Sequence, residues 1–202
     1  MSSADVLGSG VLGGGAVRSA ALRDAPAIAA VHVATWRDAY AGLLPDDFLA
    51  GLVVGEWAER WRDRLAAPVP GIFTLVFESG GRVRGFVSGG PDRHGGAGGE
   101  VFAIYVDPDC QGLGAGRRLM SAAVRSLAEA GFAEAHLWVL AGNQPARGFY
   151  EAQGWRPDGT EKPWTYDRDT GRSVSEVRYV RDLDPAGVTG GAGGAGGVEA
   201  GA

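Results

Sequence analysis

Between Glu100 and Arg118 the chain reads EVFAIYVDPDCQGLGAGRR, and this order of strand, break, glycine loop and helix constrains the fold more than any other stretch. Glu100 to Val106 are rich in β-branched and aromatic side chains, as a strand requires. Asp107-Pro108-Asp109 ends it, because Pro108 lacks an N–H and biases the residue before it away from helix. Gln111-Gly112-Leu113-Gly114-Ala115-Gly116 follows and runs without a break into a helix. Glycines there let the backbone approach a ligand, and the first helical N–H groups lack internal partners and carry partial positive charge. Such a loop suits a phosphate or pyrophosphate, with Arg117 and Arg118 adding charge beside it. Two other glycine-loop designs do not fit. A dinucleotide fingerprint lacks its third glycine, since Arg117 or Leu119 stands in that place. A P-loop needs Lys-Ser/Thr after the last glycine, where this chain has Arg117-Arg118.

A chain of 202 residues, 45% of them hydrophobic, supports one globular domain with a sizeable core. Its formal net charge of -5 argues against a nucleic-acid partner. No apolar run reaches the length of a membrane span, and the N-terminus lacks the basic and apolar regions of a signal peptide. A cytoplasmic location without membrane association is expected. The single cysteine, Cys110, excludes an internal disulfide and suits a reducing compartment. His94 and His136 look isolated, so no metal is expected. Residues 1–15 carry five glycines and residues 186–202 carry eight. Such tails bury too little apolar surface to offset the entropy of ordering, so 1–15 and 185–202 are expected to be disordered around a domain at 16–184. A third such stretch, GGPDRHGGAGG at 89–99, reads as a flexible loop between strands.

Along the chain, Ala16 to Leu22 suit a first strand, and Asp24 with Pro26 suits the start of a helix over Ala27–Tyr40. Ile28, Val31 and Thr35 share one stripe of it, and His32, Trp36 and Tyr40 a neighbouring stripe that either packs or faces a pocket. Pro45–Leu65 reads as a second helical region. Ile72–Glu78 and Arg82–Ser88 alternate around Ser79-Gly80-Gly81, a hairpin signal. Arg117–Ala130 form an amphipathic helix closed by Gly131, and Ala135–Leu140 form a strand parallel to the central one. Pro145 opens a short helix that Gly154 closes, and Val174–Val180 is the last strand.

The loop resembles the acetyl-CoA signature of the GNAT superfamily of N-acetyltransferases, Gln/Arg-x-x-Gly-x-Gly/Ala after a strand, with Gln111, Gly114 and Gly116 filling the pattern. Asn143 to Trp155 resembles the family's Asn-x-x-Ala-x-x-Phe-Tyr-x-x-x-Gly-Phe, with Trp155 in place of the last Phe. HVATWRDAYAGLLPDDFL resembles the first helix and loop of many bacterial members, a region that helps form their acceptor site. The resemblance implies a mixed α/β (α+β) GNAT-like fold, a central mixed sheet with splayed parallel strands flanked by helices.

It also implies roles. Ile104, Tyr105 and Val106 would pair through their backbones with the pantetheine arm of acetyl-CoA, the co-substrate, and Asn143 would bond that arm or fix the strand end. Gln111, Gly112, Leu113, Gly114, Ala115, Gly116 and Arg117 would hold the pyrophosphate. Tyr150 would protonate the departing thiolate. Glu100 would be the base, against the alternative of a solvated strand-end carboxylate. His32, Trp36 and Tyr40 would face the acceptor. Cys110 lies beside the phosphate loop, which disfavours an acyl-cysteine route. The implied reaction is direct acetyl transfer in a ternary complex to an amine of a small molecule or a protein. The alternative is a non-catalytic acyl-CoA-binding sensor or regulatory module. A homodimer is compatible with either.

Overall fold

The computed structural model describes residues 15–167 and 170–184. The expected tails at 1–14 and 185–202 lie outside the described residues; Gly15 lies within them, and its carbonyl accepts a hydrogen bond from Arg118 at 2.6 Å. The strands are β1 (Ala16–Ser19), β2 (Phe73–Ser79), β3 (Arg82–Pro91), β4 (Gly99–Val106), β5 (Glu134–Leu140), β6 (Arg156–Asp167) and β7 (Arg172–Asp182). The helices are α1 (Ala25–Ala39), α2 (Asp46–Ala50), α3 (Val54–Ala66), α4 (Ala115–Glu129) and α5 (Gln144–Ala152). One seven-stranded sheet runs in the order β1-β2-β3-β4-β5-β7-β6. Every neighbour is antiparallel except β4 and β5, which α4 joins as a crossover. This is the mixed sheet the resemblance implied.

Alternation along the strands sorts side chains onto two faces. Phe77, Val87, Val101, Leu137, Val139, Val177 and Tyr179 pack with α4 and α5. Val76 and Phe86 pack with α1 and α3, and Leu140 packs with Leu44 and Leu49 beside α2. β4 carries an extra residue: Ser88 pairs with Ala103 and Gly89 with Val101, leaving Phe102 without a partner. This bulge bends the strand and reverses its alternation. Val101, Ile104 and Val106 therefore share the α4 face, while Ala103 and Tyr105 face α1 and α3.

β4 and β5 pair only from Gly99–Ala135 to Val101–Leu137 and then part. From Ala103 onward β3 is the one strand that pairs with β4 among the described residues.

Several sequence expectations are corrected. Asp24 stands at the N-cap position of α1 as expected, but its side chain makes no cap bond there; the carboxylate instead accepts from the Ala21 N–H at 2.8 Å and from Arg18 at 2.7 and 3.0 Å. The second helical region is two helices, because Gly51 ends α2 and α3 restarts at Val54. The phosphate-loop helix begins at Ala115, with Gly114 at φ 87° as its N-cap, a left-handed conformation that glycine adopts without a Cβ clash. One strand was missed: β6 carries Pro157, Gly159 and Pro163 and is mostly exposed, so neither composition nor alternation marks it.

The 89–99 stretch is only partly a loop. Gly89 and Gly90 lie inside β3 and Gly99 inside β4. They are glycine for want of room: a Cβ on Gly89 would meet the Phe73 ring at 2.7 Å and the Glu100 carbonyl at 2.8 Å. Gly89→Ala should destabilise the fold by about 1–3 kcal/mol, the usual cost of overpacking. That corresponds to a melting temperature lower by roughly 2–12 °C for a domain of this size. An unchanged thermal melt would show that Phe73 yields freely.

Candidate active site

The site is assembled where β4 leaves β5. Asp107 donates its N–H to the Arg84 carbonyl on β3 at 2.9 Å. Because backbone groups alternate sides along a strand, those of Tyr105 also face β3, while those of Ile104 and Val106 face the open edge. The structure thus turns two of the three expected backbones toward the gap. Tyr105 contributes its ring instead, on the α1 face, 4.9 Å from His32 and 5.5 Å from Phe86 between centroids. The Val106 carbonyl already accepts from Thr35 Oγ1 at 3.1 Å, which ties α1 to the end of β4.

The glycine loop follows directly. Asp107 Oδ1 accepts from the Asp109 N–H, closing a short 3-10 turn over Pro108–Cys110. Gln111 reaches back to the Val106 carbonyl at 3.5 Å. The first helical bond runs from the Arg118 N–H to the Gly114 carbonyl, so the N–H groups of Ala115, Gly116 and Arg117 have no intrahelical partner. The Ala115 side chain is core, leaving its N–H as its contribution. A Cβ on Gly116 would lie 3.3 Å from the Phe149 ring, so this glycine also admits α5. Gly112, Leu113 and Arg117 are exposed.

Opposite stands α5. Asn143 caps it, its Oδ1 accepting from the Ala146 N–H at 3.2 Å, so the side chain anchors the helix start. Arg147 donates to the Tyr179 hydroxyl, which donates to Glu151 at 2.7 Å, fastening α5 to β7. Tyr150 is buried between Phe149 and Tyr179, and no hydrogen bond to its hydroxyl is formed among the described residues. Burial pushes the phenol well above its ordinary pKa, with a smaller contribution from Tyr105 across the gap.

On the other face, His32, Trp36 and Tyr40 do form one stripe. His32 is buried among Trp36, Trp57, Trp61 and Tyr105; its Nδ1 accepts from Trp61 Nε1 at 3.3 Å. Burial, helped by the Arg64 charge, pushes it down to about 3, so it is neutral and belongs to the packing. Trp36 and Tyr40 are half-buried, 5.4 Å apart between centroids, and the Tyr40 and Tyr105 hydroxyls interact.

Glu100 is not a solvated carboxylate. It is fully buried, and Arg93 holds it through the backbone N–H at 3.0 Å, Nε at 3.1 Å and Nη2. Burial alone would raise its pKa, but the Arg93 bonds and charge outweigh it and hold the carboxyl below its ordinary value. Neither is His136 isolated. Pairing of Glu100 with His136 and the turn at Asp92 bring the ligand atoms of Asp92, Glu100 and His136 within 4.8 Å of one another. Long-range strand pairing, invisible in residue spacing, makes this group, and the Arg93 guanidinium already compensates Glu100 within it.

Two charged residues of this face carried no signal in sequence. Arg93 lies in what reads as a glycine loop. Glu176 is one position of an alternating strand, paired with Leu140 on β5 and Lys162 on β6.

The model of the acetyltransferase (GNAT) family matches residues 35–155. The chain is 38% identical over 137 residues to the uncharacterized N-acetyltransferase YuaI of Bacillus subtilis (strain 168), covering 67% of this chain and 76% of that one. It is 31% identical over 164 residues to the probable N-acetyltransferase Rv2775 of Mycobacterium tuberculosis (strain ATCC 25618 / H37Rv), covering 80% and 90%. Among solved structures it is similar to the PaiA N-acetyltransferase of Thermoplasma acidophilum in complex with coenzyme A, with a TM-score of 0.68 at 17% identity, over 84% of this chain and 99% of that one. That likeness concerns the fold.

The Glu100–Arg93 pair predicts a pH-dependent contribution to stability. Glu100→Gln should cost about 1.5–3 kcal/mol at pH 7, the range for hydrogen bonds to a charged group. Because the folded carboxyl lies below its unfolded value, its contribution is present above the unfolded pKa near ~4.3 and is lost as pH falls through the lower folded value. Denaturant unfolding of parent and variant should therefore differ at pH 7 and converge in acid. A gap that stays constant from pH 7 down through the acid range would mean that shape rather than charge carries the contribution.

Proposed function

The chain belongs to the acetyltransferase (GNAT) family, and from that premise we propose that it transfers the acetyl group of acetyl-CoA directly to a primary amine. The observation that carries this reading is the open edge of β4, with the free N–H groups of α4 at one end and Tyr150 across the gap.

The pantetheine arm lies along Ile104 and Val106, extending the sheet as an added strand does. The pyrophosphate rests on the first turn of α4, where three N–H groups and Arg117 supply positive charge. The acceptor comes from the opposite face, beside Trp36 and Tyr40. The gap joins the two faces: Tyr150 belongs to the α5 side, yet it is electrostatically coupled to Tyr105 and Tyr40. Buried Cys110, its thiol pushed up by burial, supports direct transfer over an acyl-cysteine route.

A phenol with a raised pKa stays protonated and donates a hydrogen bond to the thiolate. Full proton transfer from it to a thiolate of pKa near ~8.5 is uphill. It becomes feasible when the phenol recovers a proton from the amine nitrogen as the C–N bond forms and the C–S bond breaks. Tyr150 is therefore a relay rather than a simple acid. Glu100, held as an ion pair by Arg93, orders the acceptor face and is poorly placed to accept a proton.

Tyr150→Phe should lower kcat by about 10²–10⁴ while leaving acetyl-CoA affinity nearly unchanged. In the parent, no loss of rate from tyrosine ionisation should appear below about pH 10. Near-full activity of the variant would return Tyr150 to packing. Gly114→Val should weaken acetyl-CoA binding about tenfold or more, read by calorimetry. A Cβ there meets no protein atom within 4 Å, so the loss would report on space kept for the ligand and on the strained φ. Unchanged affinity in a folded variant would remove the loop from the binding site.

A further inference from the structure

We propose that Glu176 receives the acceptor's ammonium group and takes its first proton, and that the acceptor is a primary ammonium on an apolar stem with no carboxylate beside it. This rests on the acetyl-transfer reading of the gap.

Glu176 sits where such a group is needed. It lies opposite Leu140, the last residue of β5, on the strand end that has left β4. Val177 and Tyr179 face α4 and α5, so Glu176 faces the other way, toward the acceptor side. Its neighbours there are aromatic and apolar: Leu140, Val174 and Trp164 pack with Tyr40, and Trp164 lies 5.8 Å from Trp36 between ring centroids.

The carboxylate is shielded, and its pairing among the described residues is loose. Its side chain is 16% exposed, and among the described residues no hydrogen bond to its oxygens is formed. Among the described residues its ion-pair contact is the Lys162 ammonium at 3.9 Å, too long for a hydrogen bond. That ammonium also stands 3.9 Å over the Trp138 ring, so the site already accommodates an alkylammonium against carboxylate and indole. Glu100, by contrast, is saturated by Arg93.

Burial raises the Glu176 carboxyl. Lys162 and Arg93 oppose the rise and Glu100 adds to it. Tyr40 and Tyr105 also feel its charge. These interacting groups come from β6, the β3–β4 connection, β4 and Tyr40 just past α1. The step balances. One ammonium proton passes to Glu176 and on to solvent. The amine nitrogen then attacks the acetyl carbon, its second proton leaves through Tyr150, and the thiolate released by C–S cleavage gains a proton.

The test uses the full chain with n-butylamine hydrochloride as probe and glycine as its carboxylate-bearing counterpart. Tryptophan fluorescence follows binding with and without saturating acetyl-CoA, and thiol release follows turnover. The parent should bind butylammonium and favour it over glycine. Glu176→Gln should weaken that binding about tenfold or more. It should also lower kcat/KM at neutral pH by about 10²-fold or more, with the deficit shrinking as rising pH frees the amine. Glu176→Asp should restore part of both. Equal binding and turnover in parent and Glu176→Gln would overturn the proposal, as would a parent that binds acetyl-CoA but not butylammonium. Failure to bind acetyl-CoA would instead sink the transfer reading, and titration without acetyl-CoA would still decide Glu176.

Discussion

The extra residue in β4 is the constraint from which the site follows. Phe102 has no partner on β3, so the strand bends just beyond its last pairing with β5. Without that bend β4 and β5 would pair along their length, and the polar groups of Ile104 and Val106 would be spent on the sheet. The bulge has a second effect. By reversing alternation it places Tyr105 on the same face as Glu100, while Ile104 and Val106 join Val101 beneath α4. One unpaired residue thus opens the sheet and decides which side chains look into the opening. Thr35 then ties α1 to the end of the bent strand, and Phe149 packs α5 against Gly116 at the start of α4.

What was legible in the sequence was mostly local. The strand over Glu100–Val106, the break at Pro108, the helix after the glycine loop and the short helix from Pro145 each rest on residues close together in the chain. The phosphate loop was legible for the same reason. β6 was not, because its exposed faces and interior prolines remove the alternation that marks a strand. The bulge was not, because it is a relation between two strands. Arg93 illustrates the general difficulty. Composition assigns it to a flexible loop, yet β3 runs through Gly89 and Gly90 to Pro91, two residues before it, and its guanidinium reaches Glu100. The meaning of Glu100 therefore depended on a residue that sequence reasoning had no cause to pair with it.

Glu100 and Glu176 stand on one face of the sheet and meet opposite fates. Arg93 reaches the first through three donors and fixes its charge. The second is reached by Lys162 across 3.9 Å and accepts no hydrogen bond among the described residues. The two are linked, because the permanent negative charge on Glu100 helps to hold the Glu176 carboxyl up. A saturated carboxylate beside an unsaturated one is a way to tune the second without touching it.

Desolvation acts on both partners of the proposed proton transfer, in opposite directions. An alkylammonium near pKa ~10 gives up its proton to an ordinary carboxylate near ~4.3 only against a steep gradient. Entering an aromatic-walled site lowers the first value, since burial disfavours the charged amine, and the same burial raises the second. The gap closes from both ends as the acceptor displaces water from Trp36, Tyr40 and Trp164. Lys162 and Arg93 oppose the rise of Glu176 that burial causes. An acceptor bearing its own carboxylate would bring a like charge against Glu176 and weaken the ion pair that offsets the loss of water around both groups.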